Sequence, residues 1–194
     1  MSSSNTLSVV IPHWPKSDEH EFRLERCLNS IIDQFDQVTV VVNEGIGYSR
    51  AVNVGARCSW GTHILFLNND TFMEEGSHPL ISLTAHEGCV TFPVVNGKEG
   101  QDFCGPALCF PKRLFFELGM FDEGYKVGFW EDVDMWMKIK TYLHYDIPTK
   151  EIKQVRFSHP EPGFTMKTIE GNHEQENRER FFSKWKVMPE KKWV

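Results

Sequence analysis

The 194-residue chain has no Cys-x-x-Cys pair among its five cysteines, which removes both a zinc-ribbon spacing and a disulfide framework. The odd count points to reduced, mostly buried thiols. No apolar run approaches membrane-spanning length, and residues 1–6 lack a basic region followed by an apolar stretch. The expectation is a soluble, cytoplasmic protein. Positive charge is also short, with 21 Lys and Arg against 27 Asp and Glu and a formal charge of -6, which argues against non-specific affinity for nucleic acid. What the chain does have is 40% hydrophobic content, enough for one sizeable core.

Residues 7–11 form a short β-branched run closed by Pro12, a buried first strand ending in a loop. Leu24, Cys27, Leu28, Ile31, Ile32 and Phe35 then recur at helical spacing, behind Asp18 and Glu21 placed like a capping pair. Residues 38–42, rich in Val and Thr, read as a second, fully buried strand that Asn43-Glu44-Gly45 breaks. A helix over 48–59 and a strand over 62–67 complete the alternation. Strand, helix, strand, helix, strand within about seventy residues implies right-handed crossovers and a parallel sheet. Farther on, the pattern predicts a helix over 79–86, a strand over 89–95, a polar loop over 96–102 and a short strand over 107–110. Pro111 is placed as a first helical residue and Gly119 as a stop for a helix over 112–118. A turn at 121–124 and a late strand over 152–157 follow. The fold class is α/β, a Rossmann-type, mostly parallel central sheet with helices on both faces.

The apolar run ending at Leu67 stops abruptly at Asn68, Asn69, Asp70 and Thr71. In open α/β sheets ligands bind beyond the carboxyl ends of strands, so a carboxylate there is placed to hold a metal-bound phosphate. The alternative is an Asn-Asn-Asp turn. Gly45-Ile46-Gly47 sits between a strand and a helix as a dinucleotide fingerprint would, but Arg50 occupies the third glycine position and excludes that reading. The Gly47–Ala51 segment is like a nucleophile elbow, and Ser49, Asp132 and His159 follow the chain order of an α/β-hydrolase triad. Six residues separate Val42 from Ser49, so Ser49 reads instead as a helix start that caps backbone N–H groups. Behind an aromatic loop, Tyr125 to Trp130, the acids Glu131, Asp132 and Asp134 fall in a first helical turn, where carboxylates are favoured whether or not they do chemistry.

Taken in order, the segments Ser8–Pro12, Gly47–Gly55, Ile64–Thr71, Gly119–Glu123, Trp130–Asp134 and the single residue His159 resemble the inverting GT-A-fold glycosyltransferases of family 2 across most of the chain. The resemblance implies a GT-A-like domain over 1–169, with a nucleotide-binding half at about 7–71 and an acceptor half at about 88–160, followed by a helical tail over 170–194 packed on it. Asn68-Asn69-Asp70 takes the Asp-x-Asp slot, with an amide at Asn68 in place of the strict motif's carboxylate. Asp70 is then the metal ligand, and His159 matches a histidine that completes the metal site. Pro12, His13, Asn43, Arg50 and Asn53, with Asn68 and Asn69, match positions that line the donor nucleotide and its phosphates. Trp130, Glu131 and Gly105 fall to the acceptor, and Asp132 to the catalytic base.

A sugar nucleotide departs as a diphosphate, whose growing charge a divalent cation neutralises. An imidazole ligand favours manganese over magnesium. The implied partners are a UDP or dTDP sugar and a hydroxyl acceptor of unknown class. Asp132, at a helix start, should stay ionised and take the acceptor proton. Glu131 either hydrogen-bonds an acceptor hydroxyl or is a solvated surface acid. Arg50 either adds charge to the phosphates or stays exposed without that contact. Trp130, Phe129 and Tyr125 form either a sugar-stacking wall or core packing. In the tail, Phe181, Phe182 and Trp185 are spaced to dock, and Lys184, Lys186, Lys191 and Lys192 make a basic end. The rival readings are a serine hydrolase built on Ser49, Asp132 and His159, and a nucleotide-sugar-binding module without turnover.

Overall fold

The computed structural model describes residues 5–101, 103, 105–142, 147–161 and 171–187. Lys191 and Lys192 of the expected basic end, Cys104 and most of the link to the tail lie outside them. Seven strands form one sheet in the order β2-β1-β3-β6-β5-β7-β4. They are β1 (Leu7–His13), β2 (Gln37–Val42), β3 (His63–Leu67), β4 (Phe72–Met73), β5 (Val90–Val95), β6 (Ala107–Pro111) and β7 (Thr149–Ser158). β1 runs parallel to β2 and β3, β6 runs antiparallel to β3 and β5, β7 is parallel to β5, and β4 is antiparallel to β7. Five strands therefore point one way, and only β6 and β4 point back. The helices are α1 (Asp18–Ser30), α2 (Tyr48–Cys58), α3 (Lys112–Glu117), α4 (Glu131–Thr141) and α5 (His173–Trp185).

β3 is apolar after His63 and wholly buried because it lies inside the sheet between β1 and β6. Its Phe66 packs on Phe110, Phe115 and Phe121, with the Phe115 ring centroid 4.6 Å away, and this aromatic knot joins the sheet to α3 and the turn behind it. α2 lies against β1 and β2 at Gly55, where a β-carbon would collide with the Val10 side chain. Gly55→Ala overpacks that contact, at a cost of about 1–3 kcal/mol.

Several local expectations are corrected. β2 is an edge strand, half-buried up to Val41, and its last residue, Val42, is 54% exposed. A Val-rich run satisfies an edge as readily as a centre, so composition did not separate them. β1 continues through Pro12 to His13, because β3 stops pairing with it at Val10 and the missing proline N–H breaks no bond on that side. α1 is preceded by Ser17 rather than capped by Asp18 and Glu21, and it ends at Ser30, leaving Ile32 exposed. The expected helix over 79–86 is a 3-10 turn (Leu80–Thr84) closed by i→i+3 bonds such as Ser82 N–H to Pro79 O at 3.0 Å. Pro111 ends β6 and precedes α3 instead of beginning it. Of the four described cysteines, all unpaired, only Cys27 and Cys109 are buried. No helix among the described residues is long and apolar enough to cross a membrane.

Candidate functional site

The strand directions decide where the polar residues collect. The carboxyl ends of β1, β2, β3 and β7 carry His13, Asn43, the 68–70 turn and His159, all at one end of the sheet. β6 starts at that end, so Gly105 just before it arrives there too. β4, which follows the 68–70 turn, pairs Phe72 with Ser158, and this pairing sets Asp70 beside His159.

Asp70 Oδ1 lies 3.1 Å from His159 Nε2, and both side chains are buried. The approach is not a hydrogen bond: among the described residues His159 Nε2 is buried without a hydrogen-bond partner. Two ligands each about 2.1 Å from one ion, at right angles, stand about 3 Å apart. The orphaned imidazole nitrogen and the converging carboxylate thus fit a divalent cation, whereas no group of three or more His, Cys, Asp and Glu side chains meets among the described residues. Asn96, from the polar loop over 96–102, orients His159. Its Oδ1 accepts from His159 N–H at 2.7 Å and its Nδ2 donates to His159 O at 2.8 Å.

The donor-side candidates are less open. His13 is buried, receives Asn69 Nδ2 at 2.9 Å on its Nδ1, and stands 3.2 Å from Glu21 Oε1 through Nε2. That acceptor role at Nδ1 leaves the proton on Nε2, directed at Glu21. Pro12 is buried beside it. Asn43 Oδ1 accepts from Gly47 N–H at 3.0 Å, shaping the turn into α2. Asn53 is committed to the 121–123 turn: its amide donates to Phe121 O at 2.9 Å and Glu123 Oε1 at 3.1 Å, and its oxygen accepts from Phe121 N–H. Arg50 is exposed and pairs with Glu123 at 3.4 Å. Asn68, half-buried, bonds its N–H to Pro106 O at 2.9 Å.

Ser49 does not cap α2. Gly47 precedes the helix at φ 87, Ser49 is the second helical residue, and its hydroxyl is buried without a hydrogen-bond partner. With His159 Nε2 facing Asp70, the hydrolase triad is not assembled.

α4 begins at Glu131, as the acid cluster suggested, but its three acids do different work. Asp134 is fully buried and accepts from Tyr125 O–H at 3.1 Å, Trp185 Nε1 at 2.8 Å and Lys184 Nζ at 3.0 Å. It anchors α5. Glu131 is buried, and one of its oxygens has no hydrogen-bond partner. Burial first, and repulsion from Asp132 second, push its carboxyl well above the usual range. Asp132 rises as well, again through burial, against the hydrogen bond its Oδ1 accepts from Val133 N–H at 2.8 Å. Its other oxygen fills the space a side chain on Gly105 would need: a β-carbon there would lie 2.6 Å from Asp132 Oδ2. Tyr48, at the start of α2, joins the two groups. Burial raises its phenol, and Glu131, Asp132 and Asp70 raise it further, so all three carboxylates act on one hydroxyl.

The segment leading to α4 is strained. Val127, Phe129 and Trp130 have φ of 59, 70 and 75, the left-handed region that non-glycine residues avoid at about 1–3 kcal/mol each. Trp130 packs on Phe181 of α5, with ring centroids 5.2 Å apart, while Phe129 is 40% exposed. Of the tail aromatics, Phe181 is buried and Phe182 is 51% exposed, so Phe182 does not dock.

No family model matches the chain, and no curated protein matches it by sequence. Solved structures share its fold. GalNAc-T7 with UDP, GalNAc and Mn2+ superposes with a TM-score of 0.63 at 14% identity, over 82% of this chain and 44% of that one. The mannosyltransferase PcManGT from Pyrobaculum calidifontis, in complex with GDP-Man and Mn2+, gives 0.63 at 14% identity over 85% and 60%. The catalytic domain of Drosophila beta1,4-galactosyltransferase 7, in complex with xylobiose, gives 0.65 at 14% identity over 89% and 78%. The chain thus spans 44% and 60% of the length of the first two. At this identity the likeness is one of fold, and the fold is GT-A-like, as the sequence resemblance implied.

Proposed function

We propose that the chain transfers a sugar from a nucleoside diphosphate donor, a UDP or dTDP sugar, to an acceptor hydroxyl with inversion, using a divalent cation, manganese ahead of magnesium. The observation that carries this reading is the meeting of two unlike acid sites at one sheet end. Asp70 and His159, whose Nε2 has no hydrogen-bond partner among the described residues, form one, the buried Glu131 beside the half-buried Asp132 forms the other, and the Tyr48 phenol lies in the field of both. Asp70 and His159 would hold the cation, which would neutralise charge on the leaving diphosphate. On the acid side, the acceptor oxygen bonds to the anomeric carbon as the bond to the diphosphate breaks, and its proton passes to Asp132. Burial makes Asp132 a stronger base than an exposed carboxylate. Glu131, holding its own proton, can donate a hydrogen bond to an acceptor oxygen. Arg50 reaches a phosphate by exchanging its exposed pairing with Glu123, which costs little at such a surface. Phe129 and Trp130 supply aromatic faces at the acceptor side.

The structures with UDP, GDP-Man and Mn2+ support this choice of ligands by their shared fold. The test is a screen of UDP-, dTDP- and GDP-sugars with manganese for nucleoside diphosphate release, followed by NMR of the product's anomeric configuration. Release that a chelator stops and a product of inverted configuration are expected. Chelator-insensitive release refutes the cation role, and a retained configuration refutes the direct displacement.

A further inference from the structure

Residues 126–130 carry three left-handed, non-glycine positions directly before the acid pair, and within that stretch a Gly128 N–H to Lys126 O bond at 2.7 Å closes the turn. Further compensation comes from α5. Asn177 is 1% exposed, and its side-chain amide lies 2.8 Å from Lys126 O, 2.8 Å from Gly128 O and 3.1 Å from Phe129 O, while its oxygen accepts from Lys126 N–H at 2.8 Å. One side chain thus satisfies four backbone groups of the strained loop, sharing two amide protons among three carbonyls. The loop is tied on its other flanks to functional elements. Tyr48 N–H donates to Val127 O at 2.7 Å, and Asp134 N–H donates to Trp130 O at 2.9 Å as the first helical bond of α4. The course of the loop therefore sets the direction in which Glu131 and Asp132 leave it.

We propose that Asn177 is a positioning residue for the acid pair: from α5 it holds residues 126–130 in the left-handed course that directs Glu131 and Asp132 and sets Asp132 against Gly105. The proposal rests on the glycosyltransferase reading of that site. Among the described residues, the hydrogen bonds of the Asn177 side chain all go to loop backbone, and Asn177 acts through the carboxylates, so its loss should change turnover rather than donor binding.

Asn177→Asp keeps the shape but places a second oxygen against three carbonyls, and Asn177→Ser serves in the same role should the first variant not fold. Arg180→Ala is the control, because Arg180 holds α5 through Asp122 without touching the loop carbonyls. The expected result has three parts. Turnover falls about ten- to hundredfold, as a misplacement of reacting groups by about 1 Å produces. Manganese-dependent UDP affinity, read by calorimetry, stays within about twofold. Hydrogen exchange speeds up at the Tyr48, Lys126 and Asp134 amides, while Arg180→Ala keeps wild-type turnover. Unchanged turnover, UDP affinity falling in step with turnover, or an equal loss in Arg180→Ala each overturns the positioning role. A wild-type protein that binds no nucleoside diphosphate sugar refutes the donor reading separately. The clamp is then judged on exchange alone, and unchanged protection at the three amides in Asn177→Asp overturns it.

Discussion

Two opposing effects act on Asp132 in the first turn of α4. The helix N-terminus favours the carboxylate, and that led to the expectation of an ordinary ionised acid. Burial acts the other way and outweighs it, so the group binds its proton more tightly than an exposed aspartate. Asp132→Asn keeps the size and the acceptor oxygen toward Val133 N–H but removes the base. It should lower transfer about a hundredfold to ten-thousandfold with UDP and metal affinity near wild type, read by steady-state kinetics beside calorimetry. Ser49→Ala in the same series should leave transfer intact and gain up to about 1 kcal/mol on melting, since the hydroxyl it removes is buried without a partner. A dead Ser49→Ala beside a fully active Asp132→Asn would restore the hydrolase triad. Glu131 makes a pH prediction. Its carboxyl is raised in the folded protein, so its stabilising contribution is full below the unfolded value and is lost as pH climbs towards the raised one. Glu131→Gln should therefore melt close to wild type near pH 4 and above it at pH 8, and calorimetric melting across that range checks the sign.

At the scale of elements, α5 is the part whose attachment is electrostatic. Asp122 receives Gly124 N–H at 2.9 Å, Arg180 at 2.8 Å and Lys184 at 3.0 Å, and Lys184 also reaches Asp134. Burial by itself would raise Asp122, but these donors prevail and hold its carboxyl down at about 2. A depressed acid stabilises above its unfolded value and stops doing so as pH falls through the folded one. Docking of α5 should thus weaken between about pH 4 and about pH 2, measured as rising hydrogen exchange along α5 while β3 stays protected. Asp122→Asn, whose side chain does not titrate, should lack that acid step. The apolar part of the dock is Phe181 against Trp130 with Tyr125 and Val133, and the charged latch adds to it and to the Asn177 hydrogen bonds in seating the helix.

At the scale of the whole molecule, Asp70 and His159 meet because the shortest strand, β4, folds back onto the end of β7. A jump in the β5–β7 register sits next to it: Pro93 faces Ile152, but Val94 faces Arg156. Proline offers no N–H to a ladder, and the slip lets β7 resume pairing and carry His159 to the required level. Asp70→Ala should abolish manganese-dependent tightening of UDP binding in a folded protein, and Asn96→Ala, which frees His159 without removing it, should weaken it about ten- to hundredfold. Calorimetry with and without manganese reads both. Metal-dependent affinity that survives Asp70→Ala would return Asp70 to the role of a turn residue.

The sequence by itself determined the alternation of elements, the buried β3, the polar stop at Asn68–Asp70 and the acid turn that opens α4, because each is written in contiguous residues through period, propensity or turn chemistry. It also carried the ordered resemblance to which the GT-A-like fold conforms. Tertiary structure alone decided which strand is an edge, that Asp134 anchors a helix while Asp132 packs against Gly105, and that Asn96 and Asn177 hold His159 and the acid loop. Those outcomes depend on hydrogen bonds spanning 48 to 63 residues and on which face of an element is left in water. An asparagine's partners leave no period in the chain, and the proton affinity of a carboxylate follows from burial that no local pattern records.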